Sequence, residues 1–356
     1  MDAESLRARR LRSHRLSAPA ATVAEAASHM LAVQGQEFWG GRLALAARTR
    51  GHPSMRAVDA AFDRGEIVRS WTMRGTLHVI PARDLAWVLS VTGDRQLRQG
   101  AAMHRREGID AAEVSRAEGL ARGALRGGNR LTRKELFAVL DTGGVATAGQ
   151  RGYHLLTSLA MRAVVCQGSV VPREGAPTRE QHIVLVEEWV VEAAAPADPL
   201  AELFARYIAS HGPAGPRDFA WWSGLPLGMA RQAATAASDR LDQVADDLYA
   251  ARGPAPRRNP SAPEVVALPP FEEYYISYFD RTVACAPEFL AAIGPAQNGM
   301  VRPVLVARGQ IVGVWTHSVA VGRHADDPVP ELLSPGAATD GEIAAALERY
   351  RRFVTA

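Results

Sequence analysis

Lysine is almost absent from this chain: of 41 cationic residues only Lys134 is a lysine, and the rest are arginines. Cysteine is nearly as scarce, limited to Cys166 and Cys285. Two thiols cannot build a disulfide framework, and these lack the clustered spacing of a zinc site, so ordinary buried or semi-buried thiols and no metal are expected. Long apolar runs are missing as well, since none approaches the roughly 18 residues that cross a bilayer. The opening Met-Asp-Ala-Glu-Ser-Leu-Arg has no apolar signal-peptide core. A membrane partner is thereby excluded, and a soluble cytoplasmic protein without a cofactor is expected. No coiled-coil heptad or other dimer device is visible, which points to a monomer.

What is present is enough for more than one core. The chain has 356 residues, 47% of them hydrophobic, and two or three cores of roughly 100 to 150 residues are expected. Its net charge is only +3, yet the arginines cluster: Arg7, Arg9, Arg10, Arg12 and Arg15, then Arg95, Arg98, Arg105 and Arg106, then Arg122, Arg126, Arg130 and Arg133. Arginine forks phosphate well, although a GC-rich genome produces the same bias and is the larger cause. A basic stripe suits nucleic acid; a solvated helix face is the plainer alternative.

Periodicity and punctuation give an α+β, mostly helical chain with a recurring order of helices followed by a strand pair. Residues 1–82 make the first such unit: a short basic helix over 2–12, a helix opened by a Thr22–Glu25 capping box, helical spacing over 42–48 and 58–64, and a hairpin or bent pair of strands over 67–80 with Arg74-Gly75 at its centre. Residues 83–192 repeat it, with helices over 83–97, 111–125, 136–140 and 150–161. Thr132 and Glu135 form a capping box there, and strands over 164–171 and 182–186 flank a Pro/Gly/Arg loop over 172–179. Residues 193–263 begin a third copy with helices over 200–211, 217–223 and 227–237, then a stretch over 241–251 that reads as strand or helix, and a proline-rich connector over 253–263. Residues 264–356 hold a C-terminal β region, including a hairpin of strands over 304–306 and 311–315 turning across Arg308-Gly309-Gln310, and a final helix over about 339–353. Helices followed by a strand pair is the order of a winged helix-turn-helix.

The stretch of most chemical interest is Thr22 to Gly41. Val23, Ala26, Ala27, Met30 and Leu31 repeat at three-and-four spacing, and Gln34 continues that face before Gly35 breaks it. Gln36 follows at the break. A buried amide needs partners or costs about 1 to 3 kcal/mol, and bonding to backbone as a helix-end cap is the bland account of Gln34. Elsewhere, Gln150, Arg151 and His154 open the best candidate reading helix and are placed to meet phosphate or base edges, or to be solvated helix-start polars. The other candidate, over 227–237, offers only Arg231 and Gln232, which is thin for a sequence-specific regulator.

Four separated stretches together resemble the bacterial AlkZ DNA glycosylases: Leu31-Ala-Val-Gln34-Gly35-Gln36, Arg69 through Trp71 and Arg74-Gly75 to His78, the unit around Thr132 to Val165, and Leu268-Pro-Pro-Phe-Glu-Glu-Tyr274 through Asp280-Arg281. The resemblance covers nearly the whole chain, and its start looks close to the azinomycin B self-resistance member. It implies three tandem winged helix-turn-helix units forming a C-shaped scaffold. It also implies that Gln34 and Gln36 carry the chemistry, as the glutamines of a Gln-aliphatic-Gln motif. Gly35 departs from that motif and loosens the spacing of the two amides. Trp39, Arg74, His78, Asp280 and Arg281 become candidates for lining the cleft. Structural roles compete for each, among them an internal Asp280–Arg281 ion pair and a His78 satisfied in the core.

An N7-alkylated purine is cationic, so it leaves as a neutral base without a general acid. Two amides then suffice to orient water against C1′, an amide offering one acceptor and two donors. The expectation is a DNA glycosylase acting on double-stranded DNA that carries such purines, including unhooking of azinomycin B type interstrand crosslinks as the resemblance implies. Lys134 lies far in sequence from Gln34, so a monofunctional enzyme without lyase activity is expected. The alternative is a non-catalytic tandem winged-helix transcriptional regulator. A small-molecule hydrolase would want a carboxylate pair, and Glu187-Glu188 and Glu272-Glu273, being adjacent, tend to point apart.

Overall fold

The computed structural model describes residues 1–174, 177–254, 257–297, 299–316 and 327–355. The loop over 172–179, the connector over 253–263 and the C-terminal region over 264–356 each include residues outside that set. Helices make up close to half of the chain, and the strands of its sheets pair antiparallel. The chain divides into two compact units, one formed by Met1–Val58 with Leu200–Ala356, the other by Asp59–Pro199.

In the second unit, strands Ile67–Met73 and Thr76–Pro81 pair antiparallel as a hairpin, the first of the two readings that the pattern allows. Arg74 and Gly75 both take positive φ, 53° and 69°, the pairing that a two-residue turn needs to match the strand twist. Every residue of Ile67–Met73 is buried, and that strand also meets Val165–Val170 at Arg69 opposite Gln167. Val165–Val170 pairs in turn with Gln181–Leu185. Two hairpins about a hundred residues apart in sequence therefore share one sheet.

Four helices pack around that sheet: Leu85–Arg106, Ala111–Leu125, Arg133–Thr142 and Arg151–Met161. Leu85–Arg106 runs nine residues past the sequence expectation, because nothing stops it before Gly108 at φ 66°. The Thr132–Glu135 capping box forms as read. Gly93 is required by close approach: a Cβ there would stand 2.7 Å from the Met161 carbonyl. Trp71, Leu125, Leu136, Leu156, Leu159 and Val165 share the core beneath.

The first unit places helices Ala3–Ser13, Val23–Met30, Phe38–Ala47, Pro199–His211, Pro216–Ser223 and Leu227–Ala236 with a four-stranded sheet and the final helix Asp340–Thr355. The sheet runs Val329–Leu332, Gln310–Thr316, Val304–Ala307, Val265–Leu268. Arg308 and Gly309, at φ 48° and 85°, make its hairpin turn. The stretch over 241–251, ambiguous by pattern, is a hairpin of Leu241–Ala245 and Leu248–Ala251.

One expectation needs correcting. The helix that begins at Thr22 does not reach Gln34; it stops at Met30, because Leu31 adopts φ 61° and cannot continue a right-handed helix. Val33 and Gln34 are extended, Gln36 lies at a bend, and Glu37 precedes the next helix. The cap at the start is also only half a box. Thr22 accepts from Glu25 N–H at 3.1 Å, while the Glu25 carboxylate takes the N–H of Ala21, not of Thr22.

Candidate functional site

Gln34 and Gln36 occupy unlike surroundings. Gln34 is 8% exposed, whereas Gln36 is open to solvent. The segment carrying them is held from both sides. Downstream, helix Phe38–Ala47 lies tightly on Pro269 and Pro270, where a Cβ at Gly40 would come within 3.4 Å of Pro269 Cβ. At Gln34 itself, the main-chain N–H donates to Glu273 Oε1 at 2.7 Å. The first and fourth sequence stretches are thus neighbours within one unit.

Glu272 and Glu273 are both buried, each with partners of its own. Glu272 precedes the short helix Glu273–Ile276, accepts from Tyr274 N–H at 3.1 Å and forms a buried ion pair with Arg48. Arg48 also donates to the Ala44 carbonyl at 3.0 Å. Glu273, 1% exposed, receives Gln34 N–H on one oxygen, and Trp222 Nε1 at 3.1 Å and the Ser277 hydroxyl on the other. His211 Nε2 stands 3.5 Å from that second oxygen.

Behind the carboxylates the polar network closes on itself. Tyr278 donates to the His211 carbonyl at 2.6 Å, so it must accept from His14 Nε2, 2.7 Å away. The proton of neutral His14 therefore sits on Nε2, leaving Nδ1 as acceptor for Arg48 at 3.4 Å. Burial first, then the charges of His211, Arg48 and Arg10, hold His14 well below its ordinary pKa. Burial likewise lowers His211. Both imidazoles are neutral structural parts, and Arg10 lies 3.7 Å over the Tyr278 ring.

Trp39 is 4% exposed and packs edge-on against Trp315 and Tyr350, each 6.1 Å between centroids, in the core of the first unit. Asp280 and Arg281 belong to the same unit but form no ion pair with each other. Asp280 accepts from Thr282 N–H and hydroxyl, which lower its pKa, and Arg281 lies over the rings of Trp221 and Tyr275. Arg74 and His78 share the hairpin of the second unit. His78 is fully buried with Thr72 Oγ1 3.0 Å from Nδ1, and half-buried Arg74 approaches Nε2 at 3.5 Å.

Gln150, Arg151 and His154 head one helix, where Gln150 is exposed. Arg151 bonds inward, to the Glu107 and Ala146 carbonyls and the Glu113 carboxylate. His154 is half-buried beside Tyr153 and His104, at 5.6 and 6.2 Å. Sequence reasoning missed Arg48, Trp222, Glu272 and Glu273 as parts of the Gln34 setting. The available signal was two acids inside the otherwise apolar and aromatic run Phe271 to Tyr278. Among the described residues no group of three or more His, Cys, Asp or Glu is arranged to hold a metal ion, and no helix is long and apolar enough to cross a membrane.

Comparison with known proteins gives a consistent answer. The family described as "DNA glycosylase AlkZ-like" matches residues 27–353. An interstrand DNA cross-link repair glycosylase of Streptomyces sahachiroi is 24% identical over 316 residues, covering 83% of this chain and 82% of the relative. At that identity the two are separate proteins. The solved structure of the Streptomyces sahachiroi DNA glycosylase AlkZ superposes with a TM-score of 0.77 at 20% identity, across 98% of this chain and 96% of that one, a likeness of fold.

Proposed function

The chain belongs to the AlkZ-like DNA glycosylase family, and on that premise we propose that it hydrolyses the N-glycosidic bond of N7-alkylated purines in duplex DNA, with Gln34 and Gln36 orienting the water. The substrate range extends on this reading to bulky interstrand crosslinks of the azinomycin B type. Water attacks C1′, the bond from C1′ to the purine nitrogen breaks with its electron pair passing to the base, and the base leaves neutral. The water's proton passes to solvent, since neither amide can take it. A site of this kind favours cationic lesions and fails on neutral bases such as uracil.

The observation that carries the proposal is the 2.7 Å bond from Gln34 N–H to buried Glu273. It fixes the backbone under one amide while the other, two residues on, is open to a substrate. Amides orient water usefully only when their own mounting is rigid. Glu273 acts on this account as a positioning residue. We read 1–82, 83–192 and 193–263 as three winged helix-turn-helix units serving as the DNA-binding scaffold of a monomer, with exposed Gln150 and hairpin-tip Arg74 as phosphate contacts. Catalysis leaves an abasic site without strand cleavage, because the single lysine, Lys134, is exposed on a helix of the second unit, far in the chain from Gln34.

The test incubates the wild type and the Gln34→Ala and Gln36→Ala variants with an oligonucleotide carrying one N7-alkylguanine and scores alkali-labile sites over time. Base release by wild type with a large loss in both variants supports the assignment. Binding of duplex without release, from a simple methyl lesion and from a crosslink alike, would overturn it in favour of a DNA-binding regulator.

A further inference from the structure

The first unit contains a cavity of about 320 Å³ that none of the residues discussed above for the glutamine site lines. It opens where the segment after helix Phe38–Ala47, the chain over 259–267 and the final helix Asp340–Thr355 come together. Leu16, Val266 and Ala346 contribute an apolar floor, and Arg50, Arg349 and Arg352 stand around it. No aspartate or glutamate lines it, and among the described residues none of the three arginines makes an ion pair. Other arginines do have carboxylate partners, such as Arg122 between Glu118 and Glu187 or Arg308 on Glu342.

We propose that this cavity binds an organic anion of nucleotide size, its phosphate or carboxylate meeting Arg50, Arg349 and Arg352 and its apolar body covering Leu16, Val266 and Ala346. Three cations around one cavity repel each other unless an anion enters, and guanidinium forks suit phosphate and carboxylate geometry. The strain is visible on the neighbours. Burial and then the charge of Arg352 lower the pKa of Arg349, one nitrogen of which donates to the Val265 carbonyl. His52, also on the lining, is pushed down to about 4 by burial and then by Arg349 and Arg352, so it is neutral at pH 7. Its buried Nδ1 has no hydrogen-bond partner among the described residues. An apolar floor with a few convergent polar groups, in a volume at the lower end of the roughly 300 to 1,000 Å³ range of small-molecule sites, is what a mononucleotide-sized ligand requires.

Isothermal titration of the full chain with adenosine 5′-monophosphate, and separately with inorganic phosphate, tests this. Wild type is compared with Arg50→Glu/Arg352→Glu, both exposed positions, and with Arg116→Glu, an exposed arginine of the other unit. Saturable one-to-one binding of the mononucleotide is expected, with phosphate alone binding more weakly because it leaves the floor uncovered. Affinity should fall at least about tenfold in the double reversal and stay unchanged in Arg116→Glu. Repeating the titration with saturating undamaged duplex separates the two sources of the anion. Displacement assigns the cavity to a phosphate of the DNA itself, and retention assigns it to a free nucleotide-like molecule; either leaves the anion site standing. Absence of saturable mononucleotide binding to wild type, or equal affinity in wild type and the double reversal, overturns the proposal. Should the double reversal lose its melting transition, Arg352→Gln replaces it, with a smaller fall in affinity expected from the same cavity.

Discussion

The main-chain N–H of Gln34 and the carboxylate of Glu273, 239 residues apart in sequence, meet at 2.7 Å in the interior of the first unit. The bond is to backbone, so it sets where the Gln34 amide stands without using the amide itself. Replacing Glu273 by Gln keeps the volume but faces an amide N–H₂ toward the Trp222 or Gln34 donor. Single-turnover excision should slow by about 10- to 100-fold while the Kd for duplex stays within about twofold. In a Gln34→Ala background the same change should add nothing. Additive losses would show that Glu273 acts independently of Gln34, and full activity of Gln34→Ala would remove the role given to that glutamine instead.

The two glutamines should separate in stability even if both are needed for excision. Gln34 is buried and Gln36 exposed. Truncation to Ala is expected to cost about 1 to 3 kcal/mol at position 34 and to stay within about 0.5 kcal/mol at position 36. Urea midpoints of the two variants measure the difference; equal midpoints would mean that the burial of Gln34 contributes no stability.

Breaking the buried Arg48–Glu272 pair from one side should be severe. Arg48→Met leaves Glu272 charged and without its guanidinium, and a loss of about 3 to 5 kcal/mol is expected from denaturant unfolding. Removing both, as Arg48→Met/Glu272→Leu, should recover much of that loss. A single variant as stable as wild type would show that the pair is not maintained in solution.

Two histidines predict an acid-side weakness. Burial, foremost, pushes His29 and His52 down to about 4, with Arg15 next for His29 and Arg349 next for His52. The unfolded chain binds their protons from about pH 6.5, so it takes up more protons than the folded state between pH 6.5 and 4. The stability they contribute is fully present above pH 6.5 and is lost as pH falls toward 4, on the order of 3 kcal/mol for each at the limit. Urea unfolding at pH 7.5, 6 and 5 should show the decline, with a shallower slope in His52→Gln. An unchanged slope in that variant would place the effect elsewhere.

Strand cleavage should not accompany base release. Lys134→Arg is expected to excise at the wild-type rate, and borohydride added during turnover should trap no covalent complex with either protein. A trapped species in wild type that vanishes in Lys134→Arg would establish lyase chemistry at that amine.

Much of the local architecture is legible in the sequence because its causes are local. The Thr132–Glu135 capping box, the Arg74-Gly75 and Arg308-Gly309 turns and the helix over Ala111–Leu125 depend on residues within a few positions of one another, and each appears as read. The Gln34 setting is different. Periodicity extends the helix through Gln34, and only the packed structure places Leu31 at φ 61° and ends it at Met30. Nothing in spacing says that Glu273 receives Gln34, that Arg151 is engaged by Glu113 and Glu107, or that Arg69 meets Gln167 across two hairpins. Hydrophobic period and capping chemistry repeat along the chain and can be read from it. The partner of a buried charge is whichever donor the fold delivers to it, and that is decided by tertiary packing.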